Sequence, residues 1–476
     1  MITLMIITFV VGYIFIALEH DVGINKAATA VVLGMTLWVM YMFCGAETIT
    51  TLNAEHFKHF IEANPDLQNA SLVKQCAKFV ANCQIVEFLG EHSQIIFYLI
   101  GAMTIVELID VHGGFSIVTN KITTNNKRKL LWILAFITFF MSALLDNLTT
   151  AIVMTMLLRK MVAVKRERWL YAGIVIIAAN SGGAWTPTGD VTTIMLWINE
   201  NVTTMAILKT LFLPSLVSML IPLLAVTKYL GKGNVEKPAI THKQNASMNV
   251  SPKERLSILI IGITAFLCVP IFKAITGLPP FMGVILGMGV IWIYMELLYN
   301  RKKDASPSQQ LRIQNIIGRI DITTILFFLG ILMAVASLQC AGVLAGVSKF
   351  LDENVSNVYI INTIIGVLSS IVDNVPLVAG AMGAYDMPTV EAVSAITDVA
   401  ERTYAMNFIQ DGTFWTSLAY CAGVGGSILI IGSAAGVVVM GLEKITFSWY
   451  MRNISFLALL GYLAGIAVFA LQQVIF

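Results

Sequence analysis

The sequence predicts an all-α polytopic membrane protein: two inverted repeats of five crossings each, with two re-entrant helical hairpins and two broken helices. Three observations carry this expectation. Of 476 residues, 57% are hydrophobic and 12% charged, against about 45–50% and about 25% in soluble globular chains. Eight apolar runs approach the roughly 20 residues that cross a bilayer core. A Ser-x-x-x-Asp-Asn motif within apolar sequence, Ser142 to Asn147, returns 227 residues later as Ser369 to Asn374.

The first repeat, 1–228, opens with runs at 2–18, 27–43 and 94–109. No Lys or Arg precedes the first run and Glu19-His20-Asp21 follows it, unlike a secretory leader, so it is read as a span. Between the second and third runs lies a 44–93 loop in which a Cys76–Cys83 disulfide or an amphipathic helix from Ser71 to Phe88 both fit. A hairpin over 130–160 carries Asp146-Asn147 at its tip. A helix over 169–200 is broken by Asn180-Ser-Gly-Gly-Ala-Trp-Thr-Pro-Thr-Gly-Asp190, and the run 208–227 closes the repeat. The polar, Lys-rich stretch 229–253 reads as a cytoplasmic linker.

The second repeat, 254–476, has runs at 254–272, 281–299 and 322–340, a hairpin at 358–390, a broken helix at 412–441 and a closing run at 454–476. Gly425, Gly426 and Gly432 repeat the spacing of Gly182, Gly183 and Gly189. Five crossings is an odd number, so the second repeat starts on the opposite face, the inverted arrangement of many transporters. With Met1 outside the cytoplasm, 23 of the 30 Lys and Arg face inward and seven outward, as the positive-inside bias requires. Both termini then lie on the outer side; the first hairpin dips in from the cytoplasm and the second from outside.

Non-helical backbone at membrane depth survives only inside protein or against a water-filled cavity, so both hairpin tips are placed to meet a hydrated substrate. Either aspartate also suits the N-cap of the following helix, and a carboxylate can both cap and bind. The first break adds exposed carbonyls, the hydroxyls of Thr186, Thr188, Thr192 and Thr193, and Asp190, all ligands that hard cations prefer. In the second break Gly423 and Ser433 stand where the first has Asn180 and Asp190, so most of the charge comes from the first repeat. No Lys or Arg occupies either tip or break, which favours a small cation over an anion. Carboxylates that share a water-poor pocket also hold protons, so sodium or lithium at Asp146, Asp373 and Asp190 would compete with hydrogen ions, the condition for exchange.

Glu107 and Asp110 are candidates for a proton path; Glu107 equally fits a helix-end carboxylate paired with Lys121 or Arg128. No Walker loop, GxSxG elbow, HExxH or CxxC occurs. The expectation is therefore a non-enzyme without a cofactor, driven by an ion gradient. Its partners are small cations, protons and the lipid bilayer, with no nucleic acid.

The blocks SALLDNLTTAIVM, NSGGAWTPTGDVTTIMLW, FYLIGAMTIVELID and SSIVDNVPLVAGAMGAYDM closely resemble the NhaD family of bacterial sodium/proton antiporters. The likeness runs from about residue 90 onward and is thin over 44–90. It implies a multi-pass protein of the bacterial cytoplasmic membrane, a homodimer whose scaffold holds a moving domain, exporting sodium or lithium as protons enter. By position it assigns ion binding to Asp146, Asn147, Asn180, Asp190, Thr192, Thr193, Ser369, Asp373 and Asn374. The alternative is a sodium-coupled carboxylate or other anion transporter on the same scaffold. Such relatives in general place neutral Ser-Asn-Thr at the tips, where this chain has aspartate.

Overall fold

The computed structural model describes residues 2–475 except 18, 45, 116, 118–123, 237–249, 302–315, 356 and 372. Much of the 229–253 linker, and Lys121, therefore lie outside the described residues. Among those described the chain is helical, with an isolated bridge between Asn126 and Asn234 and no strand. Among the described residues seven helices are long and apolar enough to cross a membrane: they begin at Lys26, Leu72, Thr204, Pro252, Pro280, Ile322 and Phe447. The chain is thus an all-helical polytopic membrane protein. The first apolar run forms a helix of 16 residues, Ile2–Ala17, about 24 Å long at 1.5 Å per residue.

The chain divides into two compact units. One comprises Met1–Phe97, Asp321–Asn357 and Val375–Met387. Its centre is the packing of Lys26–Cys44 against Ile322–Cys340, with Ile2–Ala17 laid on the former. Glycine permits the close crossing: a Cβ on Gly34 would sit 2.4 Å from the Gly330 carbonyl oxygen, an approach that small residues allow between membrane helices. In the 44–90 region, Ser71 precedes a helix over Leu72–Phe79 that continues through one π-turn, Val80–Gln84, into the long helix Ile85–Val111. Cys76 and Cys83 are both free, one buried and one half-buried. They lie seven residues apart on continuous helix, too far along its axis for a disulfide, so the helical alternative is the one adopted.

The other unit comprises Tyr98–Ile320, Val358–Asn374 and Pro388–Phe476. The first hairpin is the helix pair Lys127–Leu144 and Asn147–Met161. Its two outer ends meet one short segment: Lys127 N–H donates to the Gly233 carbonyl at 3.0 Å and Ala163 N–H to the Glu236 carbonyl at 2.8 Å. The hairpin therefore begins and ends together. Helix Lys165–Gly183 packs on its first arm, as Thr413–Gly425 packs on Val358–Leu368. Thr204–Tyr229 lies along Phe456–Ile475, with the Gly461 Cα pressed so near Ser218 that a Cβ would stand 2.2 Å from the serine carbonyl oxygen.

Glu443, at the end of helix Ala434–Glu443, has a fully buried side chain held by two arginines. Arg159 Nε donates to Oε1 at 2.8 Å and Arg168 Nε to Oε2 at 2.6 Å. This joins the hairpin's second arm and the start of Lys165–Gly183 to the second broken helix. Removing one member of a buried pair leaves the other charge uncompensated. Glu443→Gln should cost about 3 kcal/mol, the low end for such pairs because Arg159 reaches solvent, read as a lower melting temperature of the detergent-solubilised protein; an unchanged melting curve would count against a structural role.

Candidate functional site

Both broken helices open where their glycines demand it. After Gly183 the chain leaves the helix and returns at Val191–Ile198; after Gly425 it leaves and returns at Ala434–Glu443. A Cβ on Gly183 would lie 2.3 Å from the Gly189 carbonyl oxygen, and one on Gly426 2.9 Å from that of Gly432. Each loop thus folds back on its own helix end through backbone that only glycine accommodates. The hairpins are fastened to these breaks in the same way twice. Ser142 Oγ donates to the Ala179 carbonyl at 2.5 Å and Ser369 Oγ to the Ala422 carbonyl at 2.8 Å, one residue before Asn180 and Gly423 respectively.

Asp190 lies at the centre, 1% exposed. It caps Val191–Ile198, Oδ1 accepting from Thr192 N–H and Thr192 Oγ1, each at 3.1 Å. Thr193 completes the capping box, its hydroxyl accepting from the Asp190 N–H at 3.3 Å, and it also donates to the Asp190 carbonyl at 2.8 Å. The remaining partners come from the hairpin tips. Asn147 Nδ2 donates to Asp190 Oδ2 at 2.6 Å, and Asn374 Nδ2 approaches Oδ1 and Oδ2 at 3.3 and 3.5 Å. Asn147 Nδ2 also reaches Asn180 Oδ1 at 3.2 Å, while Asn180 Nδ2 donates to Ser427 Oγ and Ser433 Oγ, both at 2.9 Å. One buried network therefore ties together both tips and both breaks, and no Lys or Arg is among these hydrogen-bond partners.

Asp146 and Asp373 flank this network, half-buried, and both of their charges act on Asp190. Asp146 caps the hairpin's second arm, accepting from Thr149 N–H at 2.7 Å and Thr149 Oγ1 at 2.8 Å. Its backbone, φ 144° and ψ 162°, occupies a region that is essentially glycine's, at a cost of about 1–3 kcal/mol. Aspartate held there against that cost marks the tip as a place where the side chain matters more than the backbone's comfort.

Of the nine residues expected to bind ions, Asn147, Asn180, Asp190, Thr192, Thr193 and Asn374 share the network. Asp146 and Asp373 stand beside it, and Ser369 braces the tip. Among the described residues no three acidic, His or Cys side chains close on one metal position, so the oxygens near Asp190 are a mixture of one carboxylate with amides, hydroxyls and carbonyls. Glu107 and Asp110 sit on helix Ile85–Val111, with Arg319 as the near positive charge of Glu107. Ser427 and Thr149 escaped the sequence reading, and Ser433 entered it only as a lost aspartate. Position at a helix N-cap is the signal that Ser433 and Asp190 share.

Comparison with known proteins follows the same lines. Residues 4–407 match the family described as Citrate transporter, CitMHS. The chain belongs to this family. The chain is 42% identical to Sodium/proton antiporter 1 of Arabidopsis thaliana over 98% of its own length and 71% of that protein, and 40% identical to Sodium/proton antiporter 2 of the same plant over 98% of each. It is 26% identical to the Na(+)/H(+) antiporter NhaD of Vibrio cholerae over 97% of its length and 90% of that protein. The alignment with NhaD thus spans nearly the whole chain, the 44–90 region included.

The Asn180 side chain joins the first break to the second. Asn180→Ala would leave Ser427, Ser433 and the Asn147 amide with a lost partner each, and should destabilise by about 1–3 kcal/mol; thermal unfolding of the purified variant measures this, and a wild-type curve would mean that the hydroxyls find other partners.

Proposed function

We propose that the protein exchanges cytoplasmic sodium, or lithium, for external protons by alternating access. The supporting observation is the Asp190 network: a buried carboxylate held by donors from two hairpin tips and from its own capping Thr192, linked through Asn147 and Asn180 to the second break, with two further carboxylates beside it and no basic side chain bonded to it. A proton or an alkali cation can neutralise such a carboxylate, and each excludes the other. In this reading Asp190, Asp146 and Asp373 carry the exchanged charge. Asn147, Asn180 and Asn374 turn an amide oxygen toward a bound cation, and Thr192, Thr193 and Ser369 supply or orient oxygens. Glu107 and Asp110 are the proposed proton path.

The architecture proposed around this site is two inverted repeats, 1–228 and 254–476, with the first hairpin entering from the cytoplasm and the second from outside. The loop contacts support the pairing of ends that this assignment requires. Lys127 and Ala163 meet 233–236, and Asp411 accepts from Thr203 N–H at 2.5 Å; each pair falls on one face in the charge-based assignment. Both termini are then external. A homodimer is proposed from the NhaD likeness. That likeness implies a bacterial cytoplasmic membrane, and the more similar Arabidopsis proteins extend the choice to a plant membrane.

Citrate transport, the activity in the family's description, is the competing reading. A tricarboxylate would face Asp146, Asp190 and Asp373 without a compensating Lys or Arg among the hydrogen-bond partners of Asp190, and like charges disfavour its entry.

Acid-quench fluorescence in everted vesicles separates the two. Sodium or lithium should dissipate the proton gradient in wild type, and Asp146→Asn, Asp190→Asn and Asp373→Asn should each abolish the response while the protein still reaches the membrane. Uptake of labelled citrate, with or without sodium, or exchange surviving in all three variants, would sink the reading. Because protons and sodium contend for one carboxylate, the sodium concentration giving half-maximal response should rise as pH falls; a value constant across pH 6.5–8.5 argues for separate sites.

A further inference from the structure

A cavity of about 550 Å³ lies away from the Asp190 network, lined by Arg166, Arg452, Tyr229, Trp449, Ser448 and Asn453 among others, within the roughly 300–1,000 Å³ usual for ligand sites. We propose that it binds the phosphodiester headgroup of an anionic membrane lipid. Its charge is the first reason. Arg159 and Arg168 nearby in sequence are taken up by Glu443, and Glu167, the one acid on the cavity wall, is paired with Lys127. Among the described residues Arg166 and Arg452 have no ion-pair partner, so the cavity keeps two uncompensated guanidinium groups.

The aromatic rings choose a lipid over a free anion. Tyr229 is 74% exposed at the end of helix Thr204–Tyr229, and Trp449 stands edge-on to Trp169 at 5.1 Å. Tyrosine and tryptophan with polar tips and apolar rings concentrate where headgroups meet acyl chains. The surrounding basic residues put this end of the unit on the cytoplasmic side by the positive-inside rule. Basic pockets between membrane helices on that side bind anionic headgroups, and arginine's planar fork matches a phosphate's paired oxygens. Ser448 offers a neutral donor for the headgroup's hydroxyl or ester oxygens, and Asn453, whose Nδ2 donates to the Trp449 carbonyl at 2.7 Å, braces the ring beside it.

The test is native mass spectrometry of the full chain released from vesicles of equal phosphatidylglycerol and phosphatidylcholine. Wild type should retain phosphatidylglycerol over phosphatidylcholine about tenfold, and the Arg166→Gln/Arg452→Gln double variant should lose that preference. Arg255→Gln, which removes a basic residue outside the cavity, should keep it. Should the double variant fold poorly, Arg452→Lys retains the charge without the fork and should show an intermediate preference. Unchanged retention in the double variant overturns the proposal, as does an equal loss in Arg255→Gln, which would signal general surface charge. Displacement of the lipid by 10 mM inorganic phosphate assigns the cavity to free phosphate and overturns the lipid source. Lipid retention is read without transport, so its failure is distinct from a failure of sodium/proton exchange.

Discussion

A carboxylate almost completely removed from water, Asp190, is the constraint around which one of the two compact units is arranged. Burying such a group without partners costs far more than any single hydrogen bond returns. The structure supplies donors from three directions: its own capping Thr192, Asn147 from one hairpin tip and Asn374 from the other, while Asn147 also bonds Asn180, whose amide runs on to Ser427 and Ser433. None of these donors is a cation. The network satisfies the carboxylate geometrically while leaving its charge to be neutralised by something that can come and go, which is the physical content of the exchange reading.

Bringing so many elements to one point requires interrupted helices, and interruption requires glycine. A helix end that folds back onto itself within 2.3 Å of where a Cβ would stand leaves no room for a side chain. Both breaks use this device, and Ser142 and Ser369 bolt the hairpin tips beside them. Asp146 shows the opposite compromise, a residue with a side chain kept in glycine's backbone region at a cost. Small residues at the crossings and a strained acid at a tip are two consequences of placing polar backbone where water is scarce.

At the basic end of the same unit, the buried Glu443 cross-links a hairpin arm, the start of one broken helix and the end of the other. That ion pair fixes elements whose inner ends carry Asn147, Asn180 and Ser433. Rigidity at this end and polar donors at the centre are therefore two parts of one mechanical unit, while Arg166 and Arg452 have no ion-pair partner among the described residues.

Much of this was legible in one dimension. Apolar runs report membrane helices because a bilayer imposes a fixed length, and the duplicated Ser-x-x-x-Asp-Asn and glycine spacings report hairpins and breaks because their causes are local: a cap, a turn, a missing Cβ. Even the lopsided charge between the two breaks, Asp190 against Ser433, could be read directly. What only the tertiary structure decided was which side chains meet. Asn180 bonds residues 247 and 253 positions away, and Glu443 pairs with arginines 284 and 275 positions away. Such pairs leave no periodic trace in sequence, because they are selected by the packing of helices and not by any neighbour along the chain. Cysteines seven residues apart were likewise ambiguous until continuous helix set the distance between them.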